Sequence, residues 1–286
     1  MSVPHAAEVP QAGEILLEHR RQNGARDVAA SLEPVARVNP KGFPAEVAQG
    51  RSTVSLVIPA KNEARNLPNV LDHLPSCIDE VILVDGRSSD VTKVIAATCR
   101  PDIRIISEPG PGKGLALRAG FAAARGDIVI AMDADGSMSP AEIPQFIYFL
   151  EHGFDFVKGS RFIGGGGSLD ITTIRRIGDR ALLYAANFIY RAKITDINYG
   201  FYAFKRQYLE HLDLRSSGFE IEAELMIRAL KAGLRIAEVP SLEMPRRAGR
   251  SNLHAFQDGQ RVLRTLLSER KRPTSLPQPS RANGLS

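Results

Sequence analysis

The chain has 286 residues, of which 43% are hydrophobic and 24% charged, enough apolar content for one large domain or two small ones. Its two cysteines, Cys77 and Cys99, match neither a zinc-ligand spacing nor a disulfide framework, so we expect reduced thiols. No apolar run reaches the about 18 residues that a membrane-spanning helix needs, and the N-terminus lacks a signal pattern. A cytoplasmic protein is therefore predicted.

Composition divides the chain into three parts. Residues 1–50 lack sustained apolar periodicity and are interpreted as a flexible N-terminal extension. Residues 51–255 contain the regular pattern and no internal repeat, which indicates one catalytic domain. Residues 256–286 are predicted to form a basic C-terminal helix and tail. The net charge of +5 is concentrated toward this end, where either an anionic partner or simple solvation accounts for it.

In chain order, apolar runs and helical patterns alternate. Strands are predicted at 54–58, 81–84, 103–106 and 128–132, with helical patterns starting near 67, 91 and 114. The second half continues with helices at 141–151, 174–190 and 222–232, and with strands near 155–158, 201–204 and 235–239. Because parallel strands need crossover connections, this alternation predicts an α/β fold: a mainly parallel sheet flanked by helices.

Polar residues follow three of the predicted strands directly. They are Asn62-Glu63, Asp85, and the pair Asp133 and Asp135 in the stretch AMDADGS. Ligands of open α/β sheets bind beyond the carboxyl ends of the strands, so we expect these groups to converge on one edge. Two carboxylates one residue apart are suited to a hard cation such as Mg²⁺ or Mn²⁺, which leaves coordination positions for phosphate oxygens.

The glycine-rich segment Gly110–Gly114 is not a Walker phosphate loop. Lys113 is followed by glycine instead of serine or threonine, and the required spacing is missing. A turn whose Lys113 side chain attracts a diphosphate is the alternative that we retain.

Several motifs in sequence order resemble one family, the inverting GT-A glycosyltransferases of family 2, and within it the dolichol-phosphate mannose synthase-like branch. The first four are VIPAKNE at 57–63, VDGRSSDVT at 84–92, GKG with Arg118 and Gly120, and DAD at 133–135. Further matches are GSRF at 159–162, DINYGFYAF at 196–204, FEIEAEL at 219–225, and a closing segment from Glu238 to Leu253 that includes Arg247.

This resemblance implies a Rossmann-like GT-A fold and a set of site residues. The donor would be bound by Pro59, Asn62, Glu63, Asp85, Lys113, Asp133 and Arg161; the metal by Asp133, Asp135 and Ser137; and the catalytic residues would be Asp135, Arg247, Glu220 and Glu222. The chain departs from the family pattern at Lys61, Gly86, Ser137, 198–199 and Tyr202. Ser137 stands where a glutamine can contact the metal in this branch.

The resemblance further implies transfer of a hexose from a GDP-mannose or UDP-glucose type donor to a polyprenyl phosphate-like acceptor. An acceptor phosphate is already anionic, so Arg247 would position it without a general base. The alternative is a soluble transferase acting on the hydroxyl of a small metabolite, for which Glu220 or Glu222 would accept the proton. A nucleotidyltransferase and a non-catalytic nucleotide-sugar-binding protein are competing classes.

The expected partners are therefore a nucleotide-sugar donor and one of these two acceptors, with no nucleic acid. A further hypothesis concerns the C-terminal helix, where Leu253, Phe256 and Leu263 are interleaved with Arg261 and Arg264. Such an amphipathic helix is typical either of peripheral contact with an anionic membrane or of packing on the catalytic domain.

Overall fold

The structure, a computed structural model, describes residues 13–15, 18, 51–249 and 254–273. Most of the predicted N-terminal extension, residues 250–253 of the closing motif, and the tail from 274 onward lie outside the described residues.

Seven strands form one sheet in the order β3-β2-β1-β4-β7-β5-β8. Their bounds are β1 Val54–Ala60, β2 Glu80–Asp85, β3 Arg104–Ser107, β4 Ile128–Ala131, β5 Phe156–Ser160, β7 Tyr202–Lys205 and β8 Ile236–Pro240. Strand β7 runs antiparallel to β4 and β5, and the other pairs are parallel. Two short strands, β6 (Gly167–Ser168) and β9 (Leu242–Glu243), pair separately. The predicted mainly parallel sheet is confirmed; the reversed direction of β7 was not predicted.

Eight α-helices connect these strands in the described part of the chain. They are α1 Leu67–Asp72, α2 Thr92–Cys99, α3 Lys113–Ala123, α4 Ile143–Glu151, α5 Thr173–Tyr190, α6 Leu209–Leu212, α7 Ile221–Lys231 and α8 Ala255–Lys271. Every helical pattern predicted from the sequence corresponds to one of them. None of the described helices is both long and apolar enough to cross a membrane.

Both faces of the sheet are buried, which explains why its central strands are apolar throughout. In β1, Leu56 and Ile58 point into the core under α1, α2 and α4, whereas Val57 points into the core under α3 and α7. This alternation follows from the two-residue period of a strand. With both faces covered by helices, the carboxyl edge of the sheet remains the place for a ligand.

The C-terminal helix α8 is part of the folded domain. Val262 and Leu266 are buried in the same core as α7, and the Tyr190 hydroxyl of α5 donates to the Leu266 carbonyl at 2.6 Å. Beyond the helix, Arg272 lies 2.8 Å from Glu224 and 2.7 Å from Glu269. The side of the helix that carries Val262 and Leu266 therefore packs on the domain, which is one of the two roles considered for this helix.

Candidate active site

A cleft of about 670 Å³ opens at the carboxyl edge of the sheet. Its floor comes from the ends of β1, β2 and β4, through Pro59, Gly86 and the segment that carries Asp133 and Asp135. The predicted convergence of the three polar clusters on one edge is found, since parallel strands end together there. Seven of the predicted site residues line the cleft: Pro59, Glu63, Lys113, Asp133, Asp135, Ser137 and Glu222.

The two aspartates are held by the turn that follows β4. Gly136 adopts a positive φ of 76°, and the Ser137 backbone N–H donates to Asp135 Oδ1 at 3.0 Å. Met138 is buried beneath the turn and its sulfur accepts from the Asp133 N–H at 3.4 Å. The turn therefore keeps both carboxylates on the cleft side of the sheet edge.

Lys113 lies between two carboxylates on the cleft floor. Its ammonium is 2.5 Å from Asp133 Oδ1 and 2.6 Å from Glu222 Oε1, and its side chain is only 11% exposed. Burial alone would lower the pKa of Lys113, but the two carboxylates outweigh burial and hold the pKa above its ordinary value. Burial raises the pKa of Glu222 against the opposing charge of Lys113. Lys113 is consequently a permanent cation at this point.

Glycines near Lys113 allow close approach of neighbouring chain. A Cβ on Gly200 would lie 2.7 Å from Lys113 Nζ and 2.8 Å from Glu222 Oε1. A Cβ on Gly114 would lie 2.5 Å from the Ser216 carbonyl oxygen, and the Gly114 N–H already donates to the Ser217 carbonyl. The glycines of 110–114 thus serve packing, and the anion-attracting group of this segment is the Lys113 side chain.

A second cation, Arg246, connects the loop after β1, which carries Glu63, with the loop after β4, which carries Asp135. Its guanidinium lies 2.7 Å from Glu63 Oε1 and 3.2 Å from Asp135 Oδ2. Burial raises the pKa of Glu63, while its hydrogen bonds from Asn66 and Arg246 act in the opposite direction. Arg246 was not among the predicted site residues. The sequence feature that could have identified it is its position next to Arg247 in the closing motif.

Arg247, the predicted acceptor ligand, does not line the cleft. Its side chain is exposed. The aliphatic part of the side chain lies over the turn after β4, and its Cδ is 3.4 Å from the position that a Cβ on Gly136 would take. Of the two neighbouring arginines, Arg246 lines the cleft and Arg247 does not. The role predicted for Arg247 stays a prediction, and Arg246 is a further candidate for it.

Asp85 lies at the end of β2, next to the cleft-lining Gly86, and is 2% exposed. One of its carboxylate oxygens accepts from the Ser88 N–H at 3.3 Å, while Oδ1 is buried without a hydrogen-bond partner. Asn62, at φ 58°, holds the same loop by accepting from the Ser89 N–H at 2.8 Å. Asn62 therefore organises the loop beside the cleft, and Asp85 offers an acceptor without a partner.

Arg161, a predicted donor-binding residue, lies away from the cleft lining. Its side chain is fully buried and contacts three carboxylates, with distances of 2.7 Å to Asp196, 3.2 Å to Glu243 and 3.3 Å to Asp179. It is not among the cleft-lining residues. Four of the five guanidinium N–H donors are used by these carboxylates, so Arg161 holds the wall of the cleft together and does not line the cleft.

Of the two predicted glutamates, one lines the cleft and the other does not. Glu222 lines the cleft, whereas Glu220 precedes α7, lies outside the cleft lining and accepts from the Gly218 N–H at 3.0 Å. Of the two, Glu222 is the one placed to act as a base on cleft contents.

The mouth of the cleft is basic, which the sequence alone did not indicate. Arg175, near the start of α5, and Arg261, in α8, line it together with His254. Lys61 and Arg246 also line the cleft. Arg175 and Arg261 are far apart in the sequence, and the packing of α5 beside α8 brings them to the same cleft.

The donor set on the floor fits a divalent cation. Asp133 and Asp135 supply carboxylates and Ser137 a hydroxyl, which are ligand types that Mg²⁺ and Mn²⁺ prefer. The hydrogen-bonded cluster contains four carboxylates, from Glu63, Asp133, Asp135 and Glu222, against the two cations Lys113 and Arg246. Within the described residues no three His, Cys, Asp or Glu side chains are arranged to hold a metal alone. The excess negative charge and the short protein donor set match a cation that shares its sites with a diphosphate.

Comparison with known proteins adds independent information. The family profile described as Glycosyl transferase family 2 matches residues 55–213. A polyprenol monophosphomannose synthase of Mycolicibacterium smegmatis is 30% identical over 246 residues, covering 82% of this chain and 87% of the relative. A dolichyl-phosphate hexose transferase of Haloferax volcanii is 29% identical over 226 residues, covering 77% and 96%.

Solved structures agree with this result. The crystal structure of glucosyl-3-phosphoglycerate synthase from Mycobacterium tuberculosis in complex with Mn²⁺, UDP and glucosyl-3-phosphoglycerate superimposes with a TM-score of 0.61 at 27% identity. The match covers 78% of this chain and 82% of that one. The same enzyme has also been crystallised with Mg²⁺ and UDP.

Proposed function

The chain belongs to glycosyl transferase family 2, and from that premise we propose that it transfers a hexose from a nucleoside diphosphate sugar to a polyprenyl phosphate-like acceptor, with inversion at the anomeric carbon. The observation that carries the proposal is the charge distribution of the cleft, which has an acidic floor and an arginine-lined mouth. The floor suits a metal-bound diphosphate, and the mouth suits a second phosphate. Relatives named for polyprenol phosphate and dolichyl phosphate support that acceptor class.

On the donor side, Asp133 and Asp135 hold the metal and Lys113 approaches the diphosphate. When bound by these aspartates, a divalent cation would neutralise negative charge on the leaving diphosphate. Lys113 adds a fixed positive charge in a water-poor site, where it stabilises the developing negative charge strongly. The unpartnered Asp85 Oδ1, buried next to the cleft-lining Gly86, is the proposed nucleoside contact. GDP-mannose and UDP-glucose are the donor types that this arrangement is proposed to accept.

On the acceptor side, Arg246, Arg175 and Arg261 bind the acceptor phosphate. One oxygen of that phosphate attacks the anomeric carbon, its new bond forms as the bond to the diphosphate oxygen breaks, and the nucleoside diphosphate departs. Because a phosphate monoester is already ionised at neutral pH, no protein base has to remove a proton. Arg246 also contacts Asp135, so it connects the acceptor position with the donor position.

A second candidate acceptor is a small phosphorylated metabolite that is glycosylated on a hydroxyl. Glu222 favours it, because this carboxylate lines the cleft and burial raises its pKa above the ordinary value of a glutamate. The structural similarity to glucosyl-3-phosphoglycerate synthase supports the same alternative. Both candidates share an acceptor phosphate at the arginine-lined mouth.

The experiment is a donor and acceptor matrix. Radiolabelled GDP-mannose and UDP-glucose are incubated with Mn²⁺ and with a short-chain polyprenyl phosphate, 3-phosphoglycerate, or a non-phosphorylated alcohol. Label extracted into the organic phase with polyprenyl phosphate alone supports the main proposal, whereas water-soluble product with 3-phosphoglycerate supports the second candidate. Preference for the non-phosphorylated alcohol would contradict both.

Two matched variants link the product to the floor of the cleft. Asp135→Asn removes one proposed metal ligand, and Asp102→Asn removes an exposed aspartate that pairs with Arg100 at 3.2 Å and does not line the cleft. The first should abolish Mn²⁺-stimulated transfer and the second should leave it intact. Full Mn²⁺-stimulated activity in Asp135→Asn would reject the proposed metal site.

A further inference from the structure

Helix α5 carries a row of large apolar side chains that nothing in the described chain covers. Ile174, Ile177, Tyr184 and Phe188 are from 65% (Ile177) to 87% (Phe188) exposed. At 100° per residue these four positions, with the exposed Ala181 between them, fall within one narrow arc of the helix. Contiguous exposed apolar side chains of this kind mark interaction surfaces more often than scattered single residues do.

Helix α8, which packs beside α5, has a similar exposed side. Phe256, Leu263 and Leu267 are exposed, whereas Val262 and Leu266, which fall on a neighbouring arc of the helix, are buried in the core. The two helices contact each other through the hydrogen bond between the Tyr190 hydroxyl and the Leu266 carbonyl. We refer to the exposed side chains of α5 and α8 together as the helical face.

The charges on the helical face have one sign. The exposed basic residues in and just after the two helices are Arg176, Arg180, Arg191, Lys193, Arg261, Arg264, Arg270 and Lys271. The two helices contain three acidic residues, Asp179, Asp258 and Glu269, whose side chains are 12%, 9% and 5% exposed. Asp179 contacts Arg161 and Glu269 contacts Arg272, so neither presents its charge to a partner. The exposed charged groups of the two helices are therefore all cationic, and one exposed acid, Asp170, lies three residues before α5.

The helical face adjoins the mouth of the cleft. Asp170 and Arg175 at the start of α5 line the cleft, and so do His254, Gln257 and Arg261 at the start of α8. A surface bound to this face would lie beside the opening through which an acceptor enters. Apolar side chains that insert at the acyl boundary, surrounded by arginines that pair with headgroup phosphates, are the pattern of peripheral membrane helices.

We propose that the helical face docks on an anionic lipid bilayer and holds the cleft mouth at the membrane surface. A second copy of the chain is the competing occupant, but pairing two such faces would oppose arginine to arginine, and none of the three acids within the two helices is exposed to compensate. The proposal goes beyond the acceptor assignment, because docking depends on bulk anionic lipid and not on the sugar acceptor.

The test is co-sedimentation of the full chain with vesicles of phosphatidylcholine alone and of phosphatidylcholine with phosphatidylglycerol. We expect binding to the anionic vesicles only, weakened at high salt because the arginine contribution is screened. The variant Arg176→Gln/Arg180→Gln should bind about fivefold more weakly per arginine removed. The variant Ile177→Ser/Phe188→Ser should bind roughly tenfold or more weakly, because two inserted apolar side chains are lost.

Val94→Ser is the matched control, since Val94 is also an exposed apolar residue, 54% exposed on α2, far from the helical face in sequence and on the opposite side of the sheet. It should bind like the wild type, and melting temperatures of all variants should stay close to wild type. Absence of binding to anionic vesicles overturns the proposal, as does equal loss in Val94→Ser. A wild-type dimer in sedimentation velocity that Ile177→Ser/Phe188→Ser dissociates, without vesicle binding, assigns the face to a second copy. Transfer to a dissolved short-chain acceptor is scored separately, so failure of docking and failure of the proposed function are distinguishable.

Discussion

Replacing Lys113 with methionine tests the electrostatic interpretation of the cleft floor most directly. Methionine keeps much of the length and apolar stem of lysine but removes the charge between Asp133 and Glu222. Glu222, which is 5% exposed, then loses its nearest cation. The chain must either bury an unpaired carboxylate or protonate it.

The size of the effect follows from the contact distances. Unit charges at 2.6 Å attract by about 6 kcal/mol at an effective dielectric constant of ~20, and desolvation of both groups offsets much of that. Removal of one member of a buried ion pair costs about 3–5 kcal/mol in measured cases. We therefore expect Lys113→Met to lower the free energy of unfolding by about 3–5 kcal/mol, or the melting temperature by roughly 6–20 °C.

The assay is thermal unfolding without divalent cations between pH 5 and pH 8. Burial already raises the pKa of Glu222, and loss of Lys113 removes the main opposing charge, so the folded-state pKa rises further. A carboxyl with a raised folded pKa is protonated in both states at low pH and costs stability as pH rises through that folded pKa. The difference in free energy of unfolding between the wild type and Lys113→Met should therefore increase from pH 5 to pH 8.

Lys93→Met is the matched control. Lys93 is half exposed and lies 4.0 Å from Asp85, an arrangement in which an ion pair contributes about 1 kcal/mol or less. If Lys113→Met and Lys93→Met had the same melting temperature at every pH, the stabilising role of Lys113 between Asp133 and Glu222 would be refuted.

Three further predictions concern individual arginines and the metal. Arg246→Gln should reduce kcat/KM by roughly 30-fold or more, and Arg247→Gln by less than about fivefold, in steady-state assays, since the Arg246 guanidinium contacts the carboxylates of Glu63 and Asp135 and lines the cleft; equal losses would restore the assignment to Arg247. Chelation of divalent cations should lower transfer by about 100-fold, and readdition of Mn²⁺ should restore it in the wild type but not in Asp135→Asn; activity indifferent to the chelator would contradict this. Arg161→Met should lose about 3–5 kcal/mol of stability, measured by denaturant unfolding, because three buried carboxylates lose their cation; a stable variant defective only in donor binding would return Arg161 to the cleft.

Much of the fold was predictable because its local signals agree with its tertiary environment. Strand β2 was predicted at 81–84 and spans Glu80–Asp85, and α5 was predicted at 174–190 and spans Thr173–Tyr190. Apolar runs bounded by turn residues define such elements without knowledge of their neighbours. The direction of β7 was not predictable in this way, because a short buried strand has the same composition in either orientation.

The residues of the candidate site also differ in how far their positions could be predicted from the sequence. Side chains that directly follow a strand, such as Asp133 and Asp135, were predicted to lie at the sheet edge and do line the cleft, since strand direction determines their position. Arg161 also follows a strand, yet its guanidinium turns to Asp196, Asp179 and Glu243, three carboxylates from distant parts of the chain. Sequence spacing carries no information about such an enclosure.

By itself the sequence determined the α/β class, the family and the carboxylate pair, because these depend on local periodicity and on motifs read within a few residues. Only the tertiary structure decided that Arg246 and not Arg247 faces the floor, and that Lys113 pairs with Glu222. It also decided that α5 and α8 present one cationic and apolar face beside the cleft. Each of these depends on contacts between segments far apart in the chain, whose side-chain directions are set by packing.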